Sequence, residues 1–159
     1  EGYVVRYFFV FQNKTFFREQ AGNYLWAPDG TPSHWKLMRE VSQGDIIFHS
    51  YQRHIVAVSK ATSNCYPAVQ PSELAVEHLW ENNGLKVDPM YCSLPDPLDT
   101  KTIMPTLLEL QPTKYAPFNV RGWGNTGYLF NVTPEMAAFL LKELKRSSGN
   151  RLALNALGV

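Results

Sequence analysis

Three side chains near the start of the chain have the types and spacing to hold a flat aromatic ligand. Tyr24 and Trp26 stand two apart in Gly22-Asn23-Tyr24-Leu25-Trp26-Ala27-Pro28, and Asn13 lies in the polar turn Gln12-Asn13-Lys14-Thr15 before them. An indole face accepts any nucleobase, and such stacking contributes about 1–3 kcal/mol per base. A carboxamide donates and accepts at a base edge, and an apolar niche beside it would select a methylated base. Ala27 completes this candidate wall, with His49 or Tyr51 facing it from a neighbouring strand. An isolated tryptophan also packs readily into a core, so Trp26 has two readings here.

Basic residues surround the same stretch. Lys14, Arg18, Lys36 and Arg39 are candidates for the phosphate backbone of a nucleic acid, as is Arg121 further on, and they serve equally well as a solvated face. The loop Gly122-Trp123-Gly124-Asn125-Thr126-Gly127 precedes a strand, so it lacks the helix N-terminus that binds pyrophosphate. Trp123 between its glycines is expected to be exposed and, with Asn125, to touch either a nucleic acid or another domain.

Catalytic chemistry finds no constellation. His34, His49, His54 and His78 do not form a His-Glu-x-x-His pattern, and Cys65 and Cys92 stand apart from each other and from any ligand spacing for zinc. No phosphate loop and no Gly-x-Ser-x-Gly elbow is present. The sequence therefore predicts a binding module without catalytic residues, metal or cofactor.

Composition sets the frame for such a module. With 159 residues, 45% hydrophobic and 18% charged, the chain suits one globular domain, and its aromatic share is high at 13%. A net charge of +1 argues against a purely electrostatic nucleic-acid binder but leaves room for a local patch. Two isolated cysteines require no disulfide, and neither a signal peptide nor an apolar run long enough to span a bilayer is visible. The expectation is a cytoplasmic, non-membrane protein. Asn13-Lys14-Thr15 and Asn131-Val132-Thr133 match the glycosylation triplet by chance on that reading. Starting at Glu1 rather than Met, the chain reads as an excised piece of something longer.

The elements that must position these residues follow from pattern. Tyr3 to Phe11 is a continuous apolar run, predicted as a central strand buried on both faces. Gln12 to Gly22 reads as a loop or short helix, and Pro28-Asp29-Gly30-Thr31-Pro32 as a turn. Ser33 can cap a short helix bearing Trp35, which is expected in the core. Asp45–Ser50 and His54–Ser59 read as an antiparallel hairpin. A short helix from Pro71 runs towards Trp80, a core or lid residue, and Leu85 to Leu94 is a strand broken at Pro89. Pro95-Asp96-Pro97 opens a loop, Lys101 to Leu110 forms a helix begun or interrupted at Pro105, and Lys114 to Thr126 is an ordered loop before the last strand, Gly127–Val132. Thr133 then caps a helix with Pro134 at its first position and Met136, Phe139, Leu140 and Leu144 on one face. Ser147-Ser148-Gly149-Asn150 ends that helix and begins a linker.

Several segments, taken together, resemble the EVE-like N-terminal domain of modification-dependent HNH endonucleases. They are Tyr7-Phe8-Phe9-Val10-Phe11-Gln12-Asn13, Gly22-x-Tyr24-Leu25-Trp26-x-Pro28, Met38-Arg39-Glu40-Val41-x-x-Gly44-Asp45, Trp80-Glu81 with Gly84 and Val87, Lys114-Tyr115-x-Pro117 and Gly127-Tyr128-Leu129. The resemblance runs from about Tyr7 to Leu144. It implies an α+β, PUA-like fold, a twisted, barrel-like sheet with flanking short helices and a C-terminal helix, related to YTH modules. It implies as partner duplex DNA carrying 5-methylcytosine or 5-hydroxymethylcytosine, sensed by base flipping, and a bacterial, cytoplasmic setting. Trp26 matches by position the first aromatic of the YTH cage, and Asn13 lies in the turn lining that pocket. The HNH motif itself is missing, so on this resemblance residues 1–146 form the modified-base-binding domain and 147–159 a linker towards a nuclease domain in a longer parent. A reader of methylated RNA is the alternative that the YTH similarity allows. Oligomeric state has no signature.

Overall fold

Alternation of side chains along the first strand sets the layering. In β1 (Tyr7–Phe11), Phe9 joins one hydrophobic cluster and Phe8 and Val10 another, and all three are fully buried. A strand apolar on both faces has to lie between two layers. A computed structural model describes residues 4–28, 33–74 and 83–159, with 33–35 as backbone alone, and in it β1 occupies that position. It pairs in parallel with β3 (Ile46–Tyr51) and antiparallel with β8 (Leu129–Val132). Antiparallel pairing continues from β3 to β4 (His54–Ala61) and on to β7 (Pro89–Asp99), so the sheet order is β7-β4-β3-β1-β8.

A second sheet is built from β2 (Leu25–Pro28), β5 (Tyr66–Val69) and β6 (Asn83–Val87), in the order β2-β6-β5. Its Leu25, Ala27, Leu85 and Val87 meet Phe8, Val10 and Ile47 of the larger sheet, together with Leu37 and Met38 from a 3-10 helix at Ser33–Glu40. The described strands thus form two sheets and not the barrel-like sheet expected from the resemblance. Leu85 to Leu94, expected as a strand broken at Pro89, is divided there between the two sheets, β6 ending at Val87 and β7 beginning at Pro89, which has no N–H to continue a ladder. Pro95 and Pro97, expected in a loop, are tolerated within β7 because it is an edge strand.

Helices cover the other face of the larger sheet. Met104 and Leu107 of α2 (Met104–Leu110) and Met136, Leu140 and Leu144 of α3 (Pro134–Leu144) pack on Phe9, Phe48 and Val58. Thr133 caps α3, its Oγ1 accepting from Met136 N at 3.0 Å, with Pro134 in the first turn. The short α1 (Phe16–Gly22) lies between β1 and β2 in the chain, inside the segment expected as loop or short helix.

The expected linker at 147–159 is a folded element. Ser147 Oγ accepts from Asn150 N at 3.1 Å and caps α4 (Ser148–Leu157), whose Leu154 and Leu157 join the helical core. Asn150 is buried, donating from Nδ2 to Leu144 O at 3.0 Å and to Asp96 O at 2.9 Å while its Oδ1 accepts from Asp96 N. In the stretch expected to break the chain, Ser147 is a helix cap and Ser148 and Gly149 open the helix, and the apolar spacing beyond them is a buried face. Trp80, the Asp29 to Pro32 turn and the side chain of Trp35 lie outside the described residues. No described helix is long and apolar enough to cross a membrane.

Candidate nucleic-acid interface

Both parallel strands, β1 and β3, end at one cavity of about 420 Å³. Phe11 closes β1 there, and Ser50 stands opposite it across the parallel ladder. Asn13, Arg53 and Thr100 form one rim, and the loop carrying Phe118 and residues 122–127 forms the other. This volume falls within the range of about 300–1,000 Å³ typical of ligand pockets.

The loop wall is built from amide side chains. Gln111, at the end of α2, donates from Nε2 to Phe118 O at 2.8 Å and accepts from Phe118 N at 3.1 Å, clamping that residue at both backbone groups. Asn119 Oδ1 accepts from Arg121 N at 2.9 Å and Trp123 N at 3.0 Å. Asn125 donates from its backbone to Pro117 O and from Nδ2 to Ala116 O. Gly122 has φ +84°, and a Cβ there would stand 2.7 Å from Met104 Cγ, so the turn under Trp123 needs glycine for both conformation and space. Phe11 and Phe118 meet edge to face at 5.8 Å.

The opposite rim is tied together across the sheet end. Asn13 Oδ1 accepts from Gln52 N at 2.7 Å, and Arg53 O accepts from Thr100 N at 3.1 Å and Thr100 Oγ1 at 2.9 Å. The Arg53 guanidinium lies 4.6 Å over the Trp123 ring, joining the two rims.

Polar capacity remains at the cavity wall. Ser50 is 1% exposed and its hydroxyl has no hydrogen-bond partner among the described residues, yet no sealed side-chain polar atom there lacks one. That hydroxyl therefore reaches the cavity. Asn13 keeps its NH₂ and Asn125 its carbonyl oxygen, so a donor, an acceptor and a hydroxyl border aromatic rings. The segments supplying the lining carry exposed Lys14, Arg53, Lys101 and Arg121. Asp99, next to Thr100, accepts from Lys101 N at 2.9 Å.

The structure thus brings Asn13, Trp123 and Asn125 together and sets the other aromatic candidates elsewhere. Trp26 is 5% exposed and clusters with Tyr24 and Leu74, its Nε1 donating to Ala68 O at 3.0 Å. It does not line the cavity at the ends of β1 and β3, where the expectation that it walls a pocket finds no support. Strand pairing of β2 with β6 turns its indole onto Gly84 in the smaller sheet. Tyr24 and Ala27 are buried with it. Tyr51 packs against Phe16 and Phe17 of the α1 segment and not into the cavity. Lys14 and Arg18 are exposed near the cavity's first segment, and Lys36 and Arg39 are exposed on the 3-10 helix, which contributes no residue to this cavity. Their 3-10 helix ends at Glu40, which pairs with Arg6 ahead of β1, at the opposite end of that strand.

His49 is buried and structural. Tyr91 OH donates to Tyr24 O at 2.9 Å, so Gln12 Nε2 must donate to Tyr91 OH, leaving Gln12 Oε1 to accept from His49 Nδ1 at 2.7 Å. The other ring nitrogen, Nε2, then accepts from Ser59 Oγ at 2.7 Å. Burial pushes the His49 imidazole down to about 3, so it is neutral. Nearby Glu19, also fully buried, accepts from Trp26 N at 3.1 Å and from the hydroxyls of Thr15 and Tyr128. Burial holds its carboxyl above the ordinary range despite these bonds.

Phe11, Ser50, Arg53, Thr100 and Phe118 had not been singled out from the sequence. Their signal was faint, because the cavity joins segments that are far apart in the chain. Only the glycines around Trp123 marked it locally.

The sequence matches no family model and no curated protein. Solved structures do share the fold. A hypothetical protein from Leishmania major is 14% identical, with 90% of this chain and 96% of that one covered and a TM-score of 0.63. The YTH domain of Zygosaccharomyces rouxii MRB1, in complex with N6-methyladenosine RNA, is 14% identical over 89% of this chain and 87% of that one, with a TM-score of 0.57. Human THYN1, in complex with DNA containing 5-methylcytosine, is 12% identical over 89% and 99%, with a TM-score of 0.56.

Proposed function

We propose that the protein reads a modified nucleobase, taking it into the cavity at the ends of β1 and β3. The observation that carries this reading is the cavity in which the Ser50 hydroxyl, without a partner among the described residues, adjoins the aromatic wall of Phe11 and Phe118. An apolar wall accepts a methyl group, whose burial is worth about 0.8 kcal/mol, or about fourfold in affinity. Ser50, Asn13 and Asn125 would fix the base edge, and Trp123 would stack at the mouth.

Extruding a base from a duplex costs a few kcal/mol. Stacking on Trp123 at about 1–3 kcal/mol, with phosphate contacts from Lys14, Lys101 and Arg121, is of the size needed to offset that. The resemblance to EVE-like domains favours duplex DNA carrying 5-methylcytosine or 5-hydroxymethylcytosine. In that setting the domain would be the non-catalytic sensor of a modification-dependent endonuclease, with the HNH nuclease elsewhere in a longer parent. A second reading, a reader of N6-methyladenosine in RNA, is supported by the likeness to the YTH domain in its RNA complex.

Binding titrations with matched duplexes containing cytosine, 5-methylcytosine, 5-hydroxymethylcytosine or N6-methyladenine, beside single-stranded RNA with and without N6-methyladenosine, decide between them. Tighter binding of the modified-cytosine duplexes is the expected result. Equal binding of modified and unmodified forms throughout would end the proposal.

A further inference from the structure

The turn joining β3 to β4 holds an arginine in a conformation its residue type disfavours. Gln52 has φ 49° and Arg53 φ 69°, so both central residues of this two-residue turn are left-handed, an arrangement normally served by Asn-Gly. Nothing that secures the turn requires the Arg53 side chain. Asn13 holds Gln52 N, and Thr100 holds the Arg53 carbonyl through two bonds, so every one of these contacts uses backbone groups of the turn. Asparagine at 53 would keep all three and relieve the strain. The guanidinium has one described contact, the Trp123 ring 4.6 Å away, and no described carboxylate pairs with it. Strain kept at a cavity rim, where a commoner residue would fold more easily, points to use in recognition.

We propose that Arg53 is a positioning and phosphate-contacting residue of the cavity. Its guanidinium covers one face of Trp123, which is 56% exposed, and so leaves the other face to the entering base. A planar guanidinium stacked on an indole keeps its in-plane N–H groups available, and these meet the phosphate of the nucleotide being taken up. Lysine could supply the charge but not the flat cover. This inference rests on the cavity being a base site.

The test compares the parent with Arg53→Asn, Trp123→Ala and the double variant, using the modified oligonucleotide the parent prefers and its unmodified match. Arg53→Asn is expected to bind about tenfold more weakly, with the slope of log affinity against log salt reduced by about 0.9 for a duplex or 0.7 for a single strand. Its thermal midpoint stays level or rises. In the Trp123→Ala background the same substitution costs less affinity, because its platform is gone. Affinity within twofold of the parent overturns the proposal, and so does a clear fall in the thermal midpoint, which would make Arg53 a folding residue. Absence of any preference in the parent instead removes the base-site reading itself, and this inference with it.

Discussion

The indole of Trp26 lies against Gly84 so closely that a Cβ at 84 would stand 2.3 Å from the ring. Gly84 faces Pro28 across the β2–β6 ladder, one register step along from Ala27 and Leu85, so the missing side chain leaves the room the indole fills. Trp26→Ala would therefore remove a packed side chain, at a cost of about 3–5 kcal/mol. Urea denaturation should show that loss, while the protein still folded keeps its preference for the modified oligonucleotide. Loss of discrimination at unchanged stability would return Trp26 to the binding site.

That contact marks where sequence reasoning stops. Periodicity and capping placed the β3–β4 hairpin, α3 and the Tyr7–Phe11 part of the strand expected from Tyr3, because each is decided by residues next to one another: the run through Phe8, Phe9 and Val10, or Thr133 before Pro134; Val4 and Val5, ahead of that run, are exposed and outside the strand. Trp26 versus Trp123 was not decidable in this way. Both sit beside small residues, and what separates them is a cross-strand glycine 58 positions on in one case and open solvent in the other. The cavity was hidden for the same reason, since Ser50 and Phe11 meet only once two strands with a long crossover between them pair in parallel. At 147–159 the local composition misled outright, because Ser147 and Asn150 are polar in order to cap α4 and to bond Asp96.

Ser50 offers a substitution that separates binding from folding. Because its hydroxyl has no partner among the described residues, Ser50→Ala strands no described group and should leave stability within about 0.5 kcal/mol. Removing a hydroxyl that bonds a base edge should cost about 1 kcal/mol of affinity, or about fivefold. Ser50→Leu should fill the cavity floor and abolish binding. Calorimetric titration of both variants, beside their unfolding curves, checks this. Full-strength binding by Ser50→Leu would place the ligand elsewhere.

Salt dependence tests the charged rim. Lys14→Ala and Arg121→Ala should weaken modified and unmodified duplexes alike, each lowering the salt slope by about 0.9. Lys36→Ala, on the 3-10 helix at the far end of β1, should leave affinity and slope unchanged. Titrations across a range of salt concentrations give these slopes directly. A slope change for Lys36→Ala equal to that for Lys14→Ala would mean that the ligand wraps around both ends of the sheet.

The buried pair of titratable groups gives stability a pH profile with a defined sign. His49 stays neutral in the fold down to about pH 3, whereas the unfolded chain takes up its proton below about 6.5. Stability from this site is therefore complete above pH 6.5 and lost as pH falls towards 3, at up to about 1.4 kcal/mol per pH unit. Glu19 acts in the opposite direction. Its raised carboxyl keeps a proton that the unfolded chain releases above about 4.5, so its contribution is complete below that pH and lost as pH rises through the folded value. The two oppose each other just above pH 4.5, and below it His49 acts without that offset. His49→Gln should be less stable than the parent at pH 7, and the gap should narrow steadily as pH is lowered to 4. Urea midpoints of the two proteins at pH 7, 5.5 and 4 measure that gap, and a constant gap would mean that His49 is protonated inside the fold.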